Sequence, residues 1–467
     1  MERPLTFHII TYGCQMNEAD SEMIAGVLKK NDYEKIDDFK QADIVLVNTC
    51  AVREKPEVKA FGRLTTLKYM KEKNPEMILC LCGCLAQKEK ENVVKKYPFV
   101  DIVVGPQSIA ELPALIEKAI EFNIKKRERL AKMKMVAKKA AAKFKSPKLT
   151  GNFENSGDDL PETDILRESP FKAFVTIMRG CNNFCSYCIV PYTRGREKSR
   201  PFDVIIEEVK TLINSGYKEI TLLGQNVNSY NDGTGRSFPE LLRAIDMLPG
   251  KFYVRFMTSH PKDLSDKLIE VMTDSVHIAP QVHLPVQAGA TKILELMNRR
   301  YSREHYLGLI DKIRANIKNV TITTDVMVGF PQETEEDFNE TMSLFEKVRF
   351  NAAYMFYYSE REGTKAVGLP GAVPVKERLA RLDTLIKRQM DITLEVNRAM
   401  IGQIHEGLVE GRAPKTPNEY SVRTFNNLVV VAKVQPELAA KELVGSFVKL
   451  KITEGFNFVL KGDIIEA

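Results

Sequence analysis

Cysteines 181, 185 and 188, in the run Cys-Asn-Asn-Phe-Cys-Ser-Tyr-Cys, place three thiols on one eight-residue stretch. A C-x3-C-x2-C run of this kind suits three irons of a four-iron cluster. The fourth iron then lacks a protein ligand, as a site needs if it must bind and reduce a cofactor or substrate. Zinc is the alternative, but structural zinc sites are closed by four ligands, usually as two paired elements, and the chain has no second C-x2-C pair.

Five more cysteines lie upstream. Cys14, Cys50 and Cys84 are too dispersed to be assigned from spacing alone. Cys80 and Cys82 alternate with Ile78 in an apolar run expected to be a strand buried on both faces, which reads as core rather than ligation. Six scattered histidines form no defensible set with a serine or an acid, and no phosphate-binding glycine pattern is present. Acid–base chemistry has little to build on.

The elements that must carry these thiols follow from apolar patterning. Residues 1 to about 120 alternate short apolar runs with amphipathic stretches, which predicts strands at 6–11, 42–48, 77–82 and 101–104 in a parallel sheet covered by helices, a Rossmann- or flavodoxin-like domain. Cys14, Cys50 and Cys84 fall at or just past the ends of the first three strands. Loops after the carboxyl ends of parallel strands open on one crevice, so three such residues can converge.

A second βα series predicts strands at 173–178, 219–223, 253–257, 281–285, 322–328 and 352–358. Six units imply a partial (β/α)6 barrel with its chemistry at the carboxyl ends of the strands. The Cys181–Cys188 loop follows the first of them. A helical pattern over 375–400 leads to runs at 402–410, 420–433, 445–453 and 456–465 with turn residues between, a small antiparallel β-barrel of a kind often used against nucleic acid. The expected domains are therefore 1–123, 170–399 and 400–467, with a linker at 124–169.

Composition sets outer bounds. A chain of 467 residues with 44% hydrophobic and 28% charged residues is long enough for several cores and too ordinary to be fibrous or disordered. The apolar run at 7–11 is too short for a signal-peptide core, and no stretch has membrane-spanning length, so cysteines in a reducing cytoplasm are expected and disulfides are not. The net charge is +6, and residues 125–148 hold eleven Lys or Arg against Glu128 alone. Such a run is either a solvated linker face or a grip on phosphates.

The C-x3-C-x2-C run resembles the cluster loop of the radical S-adenosylmethionine superfamily. With Tyr12-Gly-Cys-Gln-Met-Asn17, Val47-Asn-Thr-Cys-Ala-Val-Arg53, Cys82-Gly-Cys-Leu-Ala-Gln87, Pro191-Tyr-Thr-Arg-Gly-Arg196, Leu222-Leu-Gly-Gln-Asn-Val-Asn228, His283-Leu-Pro-Val-Gln287 and Gly329-Phe-Pro331, the chain resembles the methylthiotransferase family of that superfamily throughout its length. Residues 173–201 are most similar to members acting on N6-isopentenyladenosine.

The resemblance implies an auxiliary-cluster domain, a radical-SAM core and a TRAM domain, two [4Fe-4S] clusters and S-adenosylmethionine. It implies cluster ligation, at the catalytic loop, by Cys181, Cys185 and Cys188, and at the auxiliary cluster by Cys14, Cys50 and Cys84. Tyr187 is implied beside the adenine, Gly224, Gln225 and Asn226 near the methionine end, and Arg255 and Ser259 near the ribose. Arg194, Arg196 and Arg200 suit phosphate or base contacts with a tRNA anticodon stem-loop. The implied reaction is methylthiolation of carbon 2 of N6-isopentenyladenosine 37 by a monomer, with an unidentified electron donor and sulfur donor. Threonylcarbamoyl-adenosine or a ribosomal-protein aspartate would be the target of other members, and a non-catalytic RNA-binding iron–sulfur sensor is the reading from a different class.

Overall fold

A computed structural model describes residues 3–52, 54–131, 146–153, 165–414, 416–434 and 442–467. The chain divides into two compact units, one of residues 1–170, 179–182 and 188–198, the other of residues 171–178, 183–187 and 199–467.

The first unit is built on a six-stranded parallel sheet of β1 (Thr6–Tyr12), β2 (Glu34–Lys35), β3 (Ile44–Thr49), β4 (Ile78–Cys82), β5 (Ile102–Val104) and β6 (Leu149–Thr150), in the order β2-β1-β3-β4-β5-β6. Alternate residues of the central strands feed two separate cores. Ile44, Leu46, Ile78, Cys80 and Cys82 pack on one face, and Val45, Val47, Leu79 and Leu81 on the other. This two-sided burial is why β3 and β4 read as unbroken apolar runs.

Four of the strands match expectation. The edge strands β2 and β6 were not expected, since two residues carry no period. β6 falls inside the segment read as linker, where Ser146 Oγ also donates to Val100 O at 2.6 Å and Asp101 Oδ1 at 3.1 Å. Within that segment Leu149–Thr150 are thus sheet edge. Most of the basic run lies outside the described residues. Its start belongs to the helix Leu112–Ala131.

Cys80 and Cys82 are 0% and 1% exposed. Burial pushes the Cys80 thiol well up and that of Cys82 up to about 12, so both stay protonated among aliphatic neighbours. Cys80→Ser and Cys82→Ser are each expected to cost about 1–3 kcal/mol through a poorly partnered buried hydroxyl while leaving bound iron unchanged. Denaturation curves with iron counts test this. Loss of iron from a folded Cys82→Ser chain would make Cys82 a ligand.

The second unit opens with β7 (Lys172–Thr176), preceding β8 (Met178–Arg179) and β9 (Lys198–Ser199), which flank the cysteine loop. Its strands β10 (Glu219–Leu223) and β11 (Tyr253–Phe256) pair in parallel with β7 in the order β11-β10-β7. β12 (Gln281–His283), β13 (Thr321–Val328) and β14 (Ala352–Tyr357) form a second parallel triplet. One parallel bridge, Val254 to Ile278, lies between them. Six strands of one direction, curved around a single large core, make the expected partial barrel.

The helix Val375–Arg398 leads to a closed barrel of β15 (Ile404–Ala413), β16 (Thr416–Thr424), β17 (Val429–Val434), β18 (Phe447–Gly455) and β19 (Leu460–Glu466). The expected run at 420–433 is two strands around a turn, and the β17–β19 pairing is parallel, unlike the other four. Closure leaves no exposed sheet edge. Among the described residues no helix is long and apolar enough to cross a membrane.

Candidate functional site

In the first unit Cys14, Cys50 and Cys84 follow β1, β3 and β4, three adjacent strands of the sheet. Cys14 caps the helix α1 (Gln15–Lys30), Cys50 donates its N–H to Tyr12 O at 3.0 Å, and Cys84 begins the short helix α2 (Cys84–Glu89). Two buried asparagines clamp the ends together. Asn48 Nδ2 donates to Asn17 O at 2.8 Å and to Ser21 Oγ at 2.9 Å. Gly83 turns the chain into α2 at φ 89°, where a Cβ would meet Asn48 Oδ1 at 2.3 Å and Thr49 O at 2.7 Å.

The thiols sense one another. A hydrogen bond with Cys50 draws the thiol of Cys14, an exposed residue, down to about 6, with help from the positive charge of Arg194. The same bond, burial and the neighbouring Cys84 push Cys50 far up, and burial raises Cys84. Without metal the first proton to leave is shared within the trio. Iron bound there would displace the remaining thiol protons to solvent.

Arg194, expected to contact tRNA, is 7% exposed and sits instead beside this trio. Its Nε donates to Cys84 Sγ at 3.1 Å and its Nη2 to Asp20 Oδ2 at 2.7 Å, while Nη1 is buried with no partner within the protein. The one-turn helix Val190–Thr193 ends at Arg194, whose N–H bonds Val190 O at 2.8 Å and carries the side chain inward. An unused buried cationic donor beside three thiols suits a sulfur-rich anionic group. Among the described residues no three Cys, His or acidic side chains are grouped as a single metal ion requires.

Of the second trio, Cys181 and Cys188 are counted with the first unit and Cys185 with the second. Cys181 donates its N–H to Gly195 O at 3.2 Å. Gly180, at φ 75°, allows this, since a Cβ there would lie 2.0 Å from Arg196 O. Within the second unit Asn298 Nδ2 donates to Asn183 O at 3.2 Å and Phe184 O at 3.0 Å, and Ser186 N–H to Met297 O at 3.0 Å. Arg299, absent from the sequence reading, is buried. Its Nη1 donates to Cys185 Sγ at 3.5 Å, its Nη2 to Pro285 O at 2.8 Å and its Nε to Tyr301 Oη at 3.0 Å. Each trio thus has a buried guanidinium on one of its sulfurs.

At the carboxyl ends of β10 and β11 polar atoms collect without partners inside the protein. They are Asn226 Oδ1, both amide atoms of Asn228, Ser259 Oγ and His260 Nε2, all on residues at most 9% exposed. Burial, reinforced by Arg299, Lys262 and Arg300, holds the His260 imidazole down to about 2, hence neutral. Buried unpartnered donors and acceptors of this number imply a polar ligand rather than a dry core. Asn226 also donates to Asp263 Oδ2 at 2.7 Å. Tyr187 packs half-buried against the large core, Gln225 is half-buried, and Gly224 is pressed on Met178, where a Cβ would lie 2.5 Å from its Cγ.

Two further residues expected at the site have partners of their own. Arg255 is not free for a ribose: Nε donates to Glu219 Oε2 at 2.7 Å, Nη1 to Phe425 O and Nη2 to Thr424 O, both at 2.9 Å. Those carbonyls belong to the β16–β17 turn, which also takes a bond from Thr321 at the start of β13. Arg255 therefore fastens the closed barrel to the amino-terminal side of the strands. Arg200 donates from Nη1 to Thr176 O and Glu208 Oε2, both at 2.7 Å, which ties it to its own unit. Arg196 is exposed.

Residues 6–105 match the family described as uncharacterized protein family UPF0004, and residues 175–345 match the radical SAM superfamily. A protein of Thermoanaerobacter sp. (strain X514) named tRNA-2-methylthio-N(6)-dimethylallyladenosine synthase is 44% identical over 466 residues, 99% of this chain and 93% of its own. The chain belongs to the radical-SAM tRNA methylthiotransferase family. Proteins of the same name from Syntrophomonas wolfei and Carboxydothermus hydrogenoformans are each 43% identical, covering 99% and 98% of this chain and 98% and 99% of their own. Among solved structures, a radical S-adenosylmethionine methyltransferase, TsrM, from Kitasatospora setae overlays with a TM-score of 0.53 at 14% identity, covering 76% of this chain and 73% of that one, a likeness of fold alone. As a member of the family the chain is a transferase, and its cofactors are S-adenosylmethionine and two four-iron clusters.

Proposed function

We propose that the chain methylthiolates carbon 2 of N6-isopentenyladenosine 37 in tRNA, with two S-adenosylmethionine molecules consumed per modified base. The observation that carries this reading is the gathering of Cys14, Cys50 and Cys84 after three adjacent strands, in a chain that bears a separate C-x3-C-x2-C loop. Cys181, Cys185 and Cys188 would hold the cluster that meets S-adenosylmethionine, and Cys14, Cys50 and Cys84 the auxiliary one. When bound, the cofactors supply a radical able to break an unactivated aromatic C–H bond and the sulfur that replaces the hydrogen.

The protein's part is placement. Asn226, Asn228 and Ser259 offer buried hydrogen-bonding atoms for the polar groups of S-adenosylmethionine, with Tyr187, Gly224 and Gln225 around it. His260 stays neutral and so competes for no proton. Aliphatic packing beneath these loops keeps water out. Exposed Arg196 is assigned to tRNA phosphate, and a single-stranded anticodon loop lets its base be splayed into a pocket. An electron donor and a sulfur donor must serve the enzyme in the cytoplasm, where its substrate is made.

A pocket for the prenyl group should add a few kcal/mol of apolar contact for about five buried carbons. Reconstituted enzyme is therefore expected to modify a prenylated anticodon stem-loop at least about a hundredfold faster than an unprenylated one. Equal rates on both, or activity only on threonylcarbamoyl-adenosine, would assign the chain to another branch of the family.

A further inference from the structure

Arg194 stands out among the charged groups of the first unit because nothing about its position serves solvent. Its side chain is 4% exposed and that of Asp20 2%. The two partners it joins, Cys84 and Asp20, are 110 and 174 residues away in sequence. A buried cation held by a single carboxylate is a costly arrangement for stability alone. Burial works against its charge, yet Asp20 and the thiols of Cys84 and Cys14 more than restore it. Arg179 Nη2 stands 3.7 Å from the other oxygen of Asp20. The carboxylate thus lies between two guanidiniums, and the group carries one net positive charge beside the trio.

Resting on the reading of Cys14, Cys50 and Cys84 as ligands of the auxiliary cluster, we infer that Arg194 and Asp20 form a clamp that positions Cys84 and sets the reduction potential of that cluster. A cation hydrogen-bonded to a ligand sulfur favours the more negative, reduced state and so raises the potential. Asp20 opposes it electrostatically while fixing the guanidinium plane. The rigid fork of arginine explains the residue type. Nε and Nη2 lie on one edge of the guanidinium, so one residue serves sulfur and carboxylate together, which the point charge of lysine does not do with the same geometry. Arg194 acts through Cys84 and is a positioning residue.

The test uses the full chain carrying Cys181→Ala, Cys185→Ala and Cys188→Ala, so that the auxiliary cluster alone contributes, with potentials read by electron paramagnetic resonance during redox titration. Arg194→Gln is expected to make the cluster about tenfold harder to reduce, about 59 mV for one electron. Asp20→Asn is expected to shift it in the opposite direction, and Arg194→Lys to fall between Gln and the parent. Opposite shifts with about four irons retained support the clamp. Unmoved potentials, or shifts of one sign in chains that keep their iron, overturn it and leave the pair as a structural strut. Should Arg194→Gln fail to fold, Asp20→Asn decides by sign alone. A parent chain that binds no iron would overturn the ligand reading itself, an outcome distinct from intact iron at an unmoved potential.

Discussion

Replacing Cys181, Cys185 and Cys188 by Ala should cut the iron of anaerobically reconstituted protein from about eight atoms to about four, two clusters to one, and abolish methylthiolation. The loop has no substitute thiols nearby in sequence. Its Cys185 sulfur is held by Arg299, and the turn around it by Asn298 and Met297, so the variant loses ligands without losing the scaffold. The Arg299 guanidinium would be left beside an alanine but keeps Pro285 O and Tyr301 as partners. The fold should therefore survive, and the remaining iron should belong to Cys14, Cys50 and Cys84. Zinc bound tightly in place of iron would contradict the reading of both trios.

Gly83→Ala should remove the other half of the iron. The residue sits between Cys82 in the core and Cys84 at the site, at a φ of 89° that costs a side chain about 1–2 kcal/mol before any contact is made. A Cβ would then overlap Asn48 Oδ1 and the Thr49 carbonyl, which is backbone and cannot swing aside. Asn48 holds Asn17 and Ser21, so relief by moving its amide unties the ends of β3 and α1. The expected cost is more than about 3 kcal/mol, with the auxiliary cluster lost first. Gly216 supplies the control. It has φ 88° with nothing within 4 Å of a Cβ, so Gly216→Ala should cost only that backbone strain of about 1–2 kcal/mol and keep all iron. Melting temperature and iron per chain read both variants. A Gly83→Ala chain as stable and as iron-rich as the control would contradict the packing described.

Strands that enter two cores were legible because both faces are apolar, as in Ile44–Thr49 and Ile78–Cys82. The three dispersed cysteines were placed by the same logic, at the ends of adjacent parallel strands. Two-residue edge strands were not legible, and neither was the turn at 425–428, because Phe425 and Leu428 prolong an apolar run that a turn divides. Parallel pairing of β17 with β19 is a matter of barrel closure, which no local pattern encodes.

The arginines were the least readable. Arg194 was expected at RNA and Arg255 near the ribose, yet Arg194 finds Cys84 across 110 residues and Arg255 finds Thr424 across 169. A guanidinium's partners are set by tertiary structure, and only those partners separate a contact with a cysteine from a domain fastener. Arg299 gave no signal beyond a doublet of basic residues. Asn17 and Asn48 did: both stand inside the segments that carry Cys14 and Cys50.

Mass spectrometry of tRNA nucleosides from cells lacking this chain tests the proposed reaction most directly. The expected result is loss of 2-methylthio-N6-isopentenyladenosine with accumulation of N6-isopentenyladenosine. Both should revert on expression of the full chain but not of the chain with Cys181, Cys185 and Cys188 replaced. Unchanged 2-methylthio-N6-isopentenyladenosine, or selective loss of a methylthiolated threonylcarbamoyl-adenosine, would contradict it.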